Sequence, residues 1–137
     1  MRSLWLDANV LVRFLTLDQP DQARAALSVF LRAKEGDLQL RLSPLVVAET
    51  AWVLDSFYGF SRARIAEALV SLIMAEGVVA QDSGLLVRAL GQMAHRNVPF
   101  VDAFLAELAR AGGEAVCSFD RDFDRLDVER VSPSALL

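Results

Sequence analysis

The chain has 137 residues, a single cysteine, 54% hydrophobic residues and a formal net charge of −4, with a mean hydropathy of +0.35. That length suits one domain with a core of its own, and the apolar runs break well short of the ~18 residues that a membrane span takes. The acidic balance excludes a protein that grips nucleic acid by a general positive charge, so a nucleic-acid substrate would need local patches, metal ions or a partner.

Cys117 cannot close an internal disulfide, and in the apolar stretch Ala115-Val116-Cys117 it reads as a buried thiol. Residues 1 to 6 run directly into a strand pattern, with no charged-then-apolar leader and no small-residue cleavage site, as expected of a cytoplasmic protein. The apolar surplus in so short a chain points to a covered surface, and hence to an oligomer.

Ser3-Leu4-Trp5-Leu6 predicts a first strand, followed by helices over 8 to 17 and 21 to 34; in the second of these, Ala23, Ala26, Leu27, Phe30 and Leu31 recur at helical spacing. Gly36 closes it. Residues 40 to 43 read as a second strand, and Ser43-Pro44 as a helix start, with Ser at the N-cap and Pro in the first turn of a helix running to about Tyr58. Gly59 ends that helix. Ser61 caps the next, which buries Ile65, Ala68, Leu69 and Leu72 and stops at Gly77 before the strand 78 to 80.

Asp82-Ser83-Gly84 opens a helix over 85 to 95. A further helix from about Val101 places Val101, Phe104, Leu105 and Leu108 on a buried face and stops at Gly112-Gly113. Residues 115 to 119 give another strand. Short strands alternating with helices predict an α/β fold with a parallel sheet, and ligands at the carboxyl ends of its strands.

Four acids occupy those ends and helix starts. Asp7 follows the first strand, where a helix N-cap explains it as readily as a ligand role does. Glu49 shares a helix face with Leu45, Trp52 and Val53; a carboxylate buried in an apolar stripe needs a proton, an arginine or a metal. Asp102 lies in a first turn, which the helix dipole alone would justify. Asp120 ends the last strand, and Asp122 and Asp124 beyond it read as capping or solvated groups. Taken together, Asp7, Glu49, Asp102 and Asp120 are better explained as one metal site. Clustered carboxylates repel, and Mg²⁺ or Mn²⁺, which prefer oxygen donors, removes the conflict.

Four segments extend this reading. Leu-Asp-Ala-Asn-Val-Leu-Val-Arg-Phe-Leu at 6 to 15, Ser-Pro-Leu-Val-Val-Ala-Glu at 43 to 49, Asn-Val-Pro-Phe-Val-Asp-Ala at 97 to 103 and Ser-Phe-Asp-Arg-Asp-Phe at 118 to 123 resemble, in order and spacing, the PIN-domain family, in particular its VapC-type toxins. The resemblance implies a single PIN-like nuclease domain over 1–137, a three-layer α/β sandwich with a short, mainly parallel sheet flanked by helices. It implies that Asp7, Glu49, Asp102 and Asp120 bind metal, that Asp122 is an accessory ligand, and that Asn9 and Ser118 orient the acids and water. Ala8 stands where many members carry Thr or Ser, which removes a supporting hydrogen bond but none of the four acids.

The activity so implied is a Mg²⁺- or Mn²⁺-dependent endoribonuclease that inhibits translation, held in check by a cognate antitoxin and commonly homodimeric. Metal-activated water needs no side-chain nucleophile, which agrees with a sole histidine, His95, explained as a cation at a helix C-terminus. Arginine makes up 13 of the 14 basic residues. Arg13 and Arg121, the nearest to the proposed site, are expected to pair with its acids or hold RNA phosphate.

Phosphoryl-transfer folds that gather aspartates generally also use a lysine, and Lys34 lies far from any strand end. A catalytically weak module that acts by binding protein would be marked by a missing acid, and none is missing. DNA stays open as the substrate, because this chemistry does not read the 2′-OH. The apolar helices over 21 to 34 and 44 to 75 offer a groove for an antitoxin segment, with core packing the ordinary explanation for most of their residues.

Overall fold

A computed structural model describes residues 1–137, which form two compact units, Met1–Ser83 and Gly84–Leu137. The first contains β1 (Arg2–Trp5), α1 (Ala8–Thr16), α2 (Pro20–Lys34), β2 (Leu38–Leu42), α3 (Pro44–Ser56), α4 (Arg62–Ile73) and β3 (Val78–Ala80). Its sheet runs β1-β2-β3 and is parallel throughout, with Leu4 opposite Leu40 and Leu40 opposite Val78. Parallel neighbours require long crossovers, and the helices between the strands supply them. Leu38, Leu40 and Leu42 of the central strand are buried.

Local chemistry sets the helix ends. The Ser43 hydroxyl accepts the Leu45 N–H at 3.1 Å ahead of Pro44, and the Ser61 hydroxyl accepts the Arg64 N–H at 3.1 Å, so each serine satisfies an amide that the helix leaves unpaired. Gly77 adopts φ +87°, and a Cβ there would lie 2.5 Å from the Ala33 carbonyl oxygen. Only glycine fits where this turn passes α2.

The second unit contains α5 (Ser83–Arg96, beginning at the boundary), α6 (Phe100–Gly112), β4 (Val116–Cys117), a 3₁₀ turn over Arg121–Arg125, β5 (Arg130–Val131) and a terminal 3₁₀ turn over Pro133–Leu136. β4 and β5 are parallel, pairing Val116 with Arg130 and Cys117 with Val131. Six helices and short, wholly parallel strands make up the α/β fold that the sequence pattern predicts. No helix is long and apolar enough to cross a membrane.

Several expected faces are reversed. On α6 the buried residues are Phe100, Ala103, Ala106, Glu107 and Ala109, whereas Val101, Leu105 and Leu108 are exposed. On α2 the expected stripe is split: Ala23 and Ala26 are buried as expected, with Ala33, and Leu27 and Leu31 are exposed. On α3 the interior face is Val47, Thr50, Ala51 and Leu54; Leu45, Glu49 and Trp52 are exposed. On α3 and α6 two stripes satisfy the same helical period. Selecting the larger residues picked the outer stripe, while the inner one is rich in small side chains that allow close approach. Cys117 is likewise exposed: strand alternation turns Val116 inward and its neighbour out.

Candidate metal centre

The second unit gathers three carboxylates. One oxygen from each of Asp102, Asp120 and Asp122 lies within 4.8 Å of the others. Asp102 comes from the first turn of α6, where the partial positive charge of the helix N-terminus favours an anion. Asp120 stands just beyond β4 as the N-cap of the Arg121–Arg125 turn. Its backbone N–H donates to the Ser118 hydroxyl at 2.9 Å, and its Oδ1 accepts the Asp122 N–H at 2.9 Å. These side-chain-to-backbone bonds fold 118–122 on itself, which sets Asp120 and Asp122 on the same side as Asp102. Phe123 and Leu126, both buried, pin the turn from below.

Two arginines fasten the periphery. Arg125 donates from Nη2 to Asp122 Oδ1 at 3.1 Å and from Nη1 to the Arg96 carbonyl at 2.8 Å, tying the end of α5 to the acidic turn and setting a positive charge beside Asp122. Arg130, on β5, donates from Nε to Asp124 Oδ1 at 2.9 Å and from Nη1 to the Ser118 carbonyl at 3.1 Å. The hydrogen bond from Arg130 holds the Asp124 carboxyl below its ordinary pKa, with further help from the charges of Arg130 and Arg121, against a smaller upward push from desolvation. The same bond raises the guanidinium of Arg130. Asp124, read from sequence as a solvated loop acid, is thus an anchored one.

The donor set suits a hard divalent cation. It is all oxygen and carries several negative charges at close quarters, and Cys117 is not among the clustered residues. Mg²⁺ or Mn²⁺ takes a few carboxylates and keeps some of its own waters, and such an ion relieves the repulsion among the three.

The other candidates belong to the first unit. Asp7 is exposed and occupies the N-cap position of α1, yet its side chain makes no capping bond, so the ordinary capping explanation does not account for it. Glu49 is exposed rather than buried, which removes the desolvation argument that singled it out. Asn9 lines a shallow cleft with Val10, Arg13 and Gln22. Arg13 turns to other partners than the proposed metal ligands: its Nε donates to Gln22 Oε1 at 2.8 Å, its Nη1 to the Tyr58 hydroxyl at 3.4 Å, and Asp18 lies 4.0 Å away.

Sequence reasoning missed Arg125 and Arg130. The i, i+3 spacing from Asp122 to Arg125 is a usable signal. Arg130 meets Asp124 across a turn and a two-residue strand, for which no periodic signal exists.

A family model described as PIN domain matches residues 4–129. No curated protein matches the chain. With nearly the whole chain matched and Asp102, Asp120 and Asp122 gathered within it, the chain belongs to the PIN-domain family, whose members are usually metal-dependent nucleases.

Proposed function

We propose that the protein is a Mg²⁺- or Mn²⁺-dependent endoribonuclease, the toxin of a type II toxin–antitoxin pair of the VapC kind, acting in the cytoplasm as one nuclease domain over 1–137. The observation that carries this reading is the Asp102, Asp120 and Asp122 cluster in a chain matched as a PIN domain. These three would hold the ion through carboxylate oxygens; Asp7 and Glu49 enter this reading as further ligands through the family resemblance alone. A bound divalent ion supplies Lewis acidity toward a phosphodiester and lowers the pKa of the attacking water.

The protein's own part is positioning. Ser118 holds the Asp120 amide, and Asp120 holds that of Asp122, so both carboxylates are oriented before substrate arrives. Arg125 orients Asp122 and offsets part of its charge, which limits repulsion toward an incoming phosphate. Asn9 is assigned a supporting role at Asp7.

The partners in this reading are an RNA substrate, a cognate antitoxin and a second copy of the chain. Exposed apolar surface supports the last two. Leu27 borders a cleft with Phe14, Leu17, Pro20 and Ala23, suited to an apolar antitoxin segment, and Val101, Leu105 and Leu108 form an uncovered stripe on α6, suited to a dimer contact.

The test is incubation of the antitoxin-free protein with structured and single-stranded RNA and matched DNA, with Mg²⁺, Mn²⁺ or a chelator, beside Asp120→Asn. Metal-dependent RNA cleavage, lost in the variant, is the expected result. Cleavage of DNA alone would change the substrate. A folded protein that cuts neither and binds a protein partner would replace the nuclease with a binding module.

A further inference from the structure

On the second unit, away from the turn that carries Asp120, α5 and α6 border an open cleft of about 440 Å³ lined by Arg88, Gly91, Gln92, His95, Glu107 and Arg110. The α5 residues fall at i, i+3, i+4 and i+7, a polar stripe opposite the buried Leu86, Ala89, Leu90 and Met93. From α6, Glu107 enters beneath them, 4% exposed on a face otherwise made mostly of alanine. It accepts Arg88 Nε at 3.3 Å and Arg110 Nη1 at 3.2 Å.

Only Glu107 is out of water in these pairs, and pairs with exposed arginines contribute little to stability. What Glu107 does is fix two guanidiniums. Each gives Glu107 one of its five N–H groups, and with side chains 58% and 39% exposed both keep outward edges toward solvent. Asp127, 3.7 Å from Arg110 Nη2 and 81% exposed, is a surface pair of the weak kind, which a phosphate can displace. Planar forks held in place by a buried acid suit phosphate oxygens, and the exposed His95 adds a donor on the same stripe.

We propose that this cleft is a backbone-phosphate subsite for the RNA strand, with Arg88 and Arg110 as its grips. The inference rests on the nuclease reading and deepens it. A chain of net charge −4 needs local cations to hold a polyanion. Arg110 follows Asp102 by eight residues on α6, which places it about 12 Å along the helix and about 80° round it. A strand crossing the carboxylates can therefore continue over the cleft.

The test is fluorescence anisotropy of a labelled single-stranded RNA long enough to cover both sites, with Ca²⁺ replacing Mg²⁺, over a range of salt. Arg88→Gln removes one grip. Gly91→Glu blocks the cleft from a helical position where a Cβ meets nothing within 4 Å, leaving Glu107 and its partners intact. Each variant is expected to weaken binding roughly tenfold and to lower the salt slope by about one, while cleavage of a short RNA confined to the acidic centre in Mg²⁺ stays at the wild-type rate.

Wild-type affinity for the long RNA in both variants, with the parent still cutting, would overturn the subsite and leave the nuclease. Parent protein that binds RNA through the cleft and cuts nothing would overturn the nuclease and keep the subsite. No RNA binding by the parent would overturn both. Equal loss of affinity for a polyglutamate peptide would overturn the phosphate assignment in favour of an acidic protein partner.

Discussion

In the first unit β2 has a hydrogen-bonded neighbour on each side and buries Leu38, Leu40 and Leu42, whereas in the second β4 and β5 pair over two residues each. Between those two short strands the acidic turn is fastened by Ser118, Arg125 and Arg130. Apolar burial orders the central strand, whereas in the acidic turn directional polar bonds act on top of the buried Phe123 and Leu126. The difference suits their tasks: burial is non-directional and makes a scaffold, while charge-assisted hydrogen bonds fix the angle of a carboxylate. It also leaves the acidic turn open to salt and acid, because the carboxylates of Asp122 and Asp124 lie near solvent.

The largest effect on folding should come from Leu40→Ala. Leu40 is fully buried in the central strand, and truncation there should cost about 2–5 kcal/mol through lost burial and the cavity left behind, read by urea unfolding. A cost within experimental error would mean that β2 does not carry the first unit.

Arg130→Gln should separate the two modes of order. It removes the clamp on Asp124 and the Ser118 carbonyl while leaving the buried leucines untouched. The melting temperature should barely move, amide exchange over 118–126 should quicken, and Mn²⁺ affinity should fall less than on loss of a ligand itself, because Arg130 touches the turn and none of the three clustered carboxylates. An unchanged exchange rate would show that Phe123 and Leu126 hold the turn without the arginine.

Acid should act more gently and on the same turn. Because Arg130 holds the folded-state pKa of Asp124 below its ordinary value, the pair's contribution is complete above the unfolded value of about 3.9 and is lost as pH falls through the lower, folded value. Amide protection in the turn should therefore persist at pH 5 and decline below pH 4. Asp124→Asn should remove that component of the decline, and an identical acid profile in the variant would assign the decline to other carboxylates.

Much of the fold is legible in local chemistry. Ser43-Pro44 and Ser61 announce their helices because a hydroxyl capping an amide is a near-neighbour event, and Gly36, Gly59 and Gly77 announce stops because each takes a positive φ. Interior faces are less legible: Val101, Leu105 and Leu108 share the helical period of Ala103, Ala106 and Glu107, and only the packed structure chooses between them. The same ambiguity made Glu49 read as a buried charge.

The acidic centre divides along similar lines. Asp102 and Asp120 are marked by the ends of elements, which sequence signals locate well. That Asp122 joins them depends on the fold of residues 118 to 122, and that Asp124 is anchored depends on Arg130, six positions away across a turn. Arg88, Glu107 and Arg110 show the clearest gap: Glu107 interrupts an alanine stripe, and nothing in the helical period marks that stripe as the interior face.

The most direct measurement is a Mn²⁺ titration followed by electron paramagnetic resonance, with the wild-type protein beside Asp102→Asn and Asp120→Asn. The wild type should bind Mn²⁺ and each variant about tenfold or more weakly, by the scale of losses seen at metal sites, with Mg²⁺ competing for the same site. Equal Mn²⁺ affinity in all three proteins, each still folded, would contradict a metal centre at Asp102, Asp120 and Asp122.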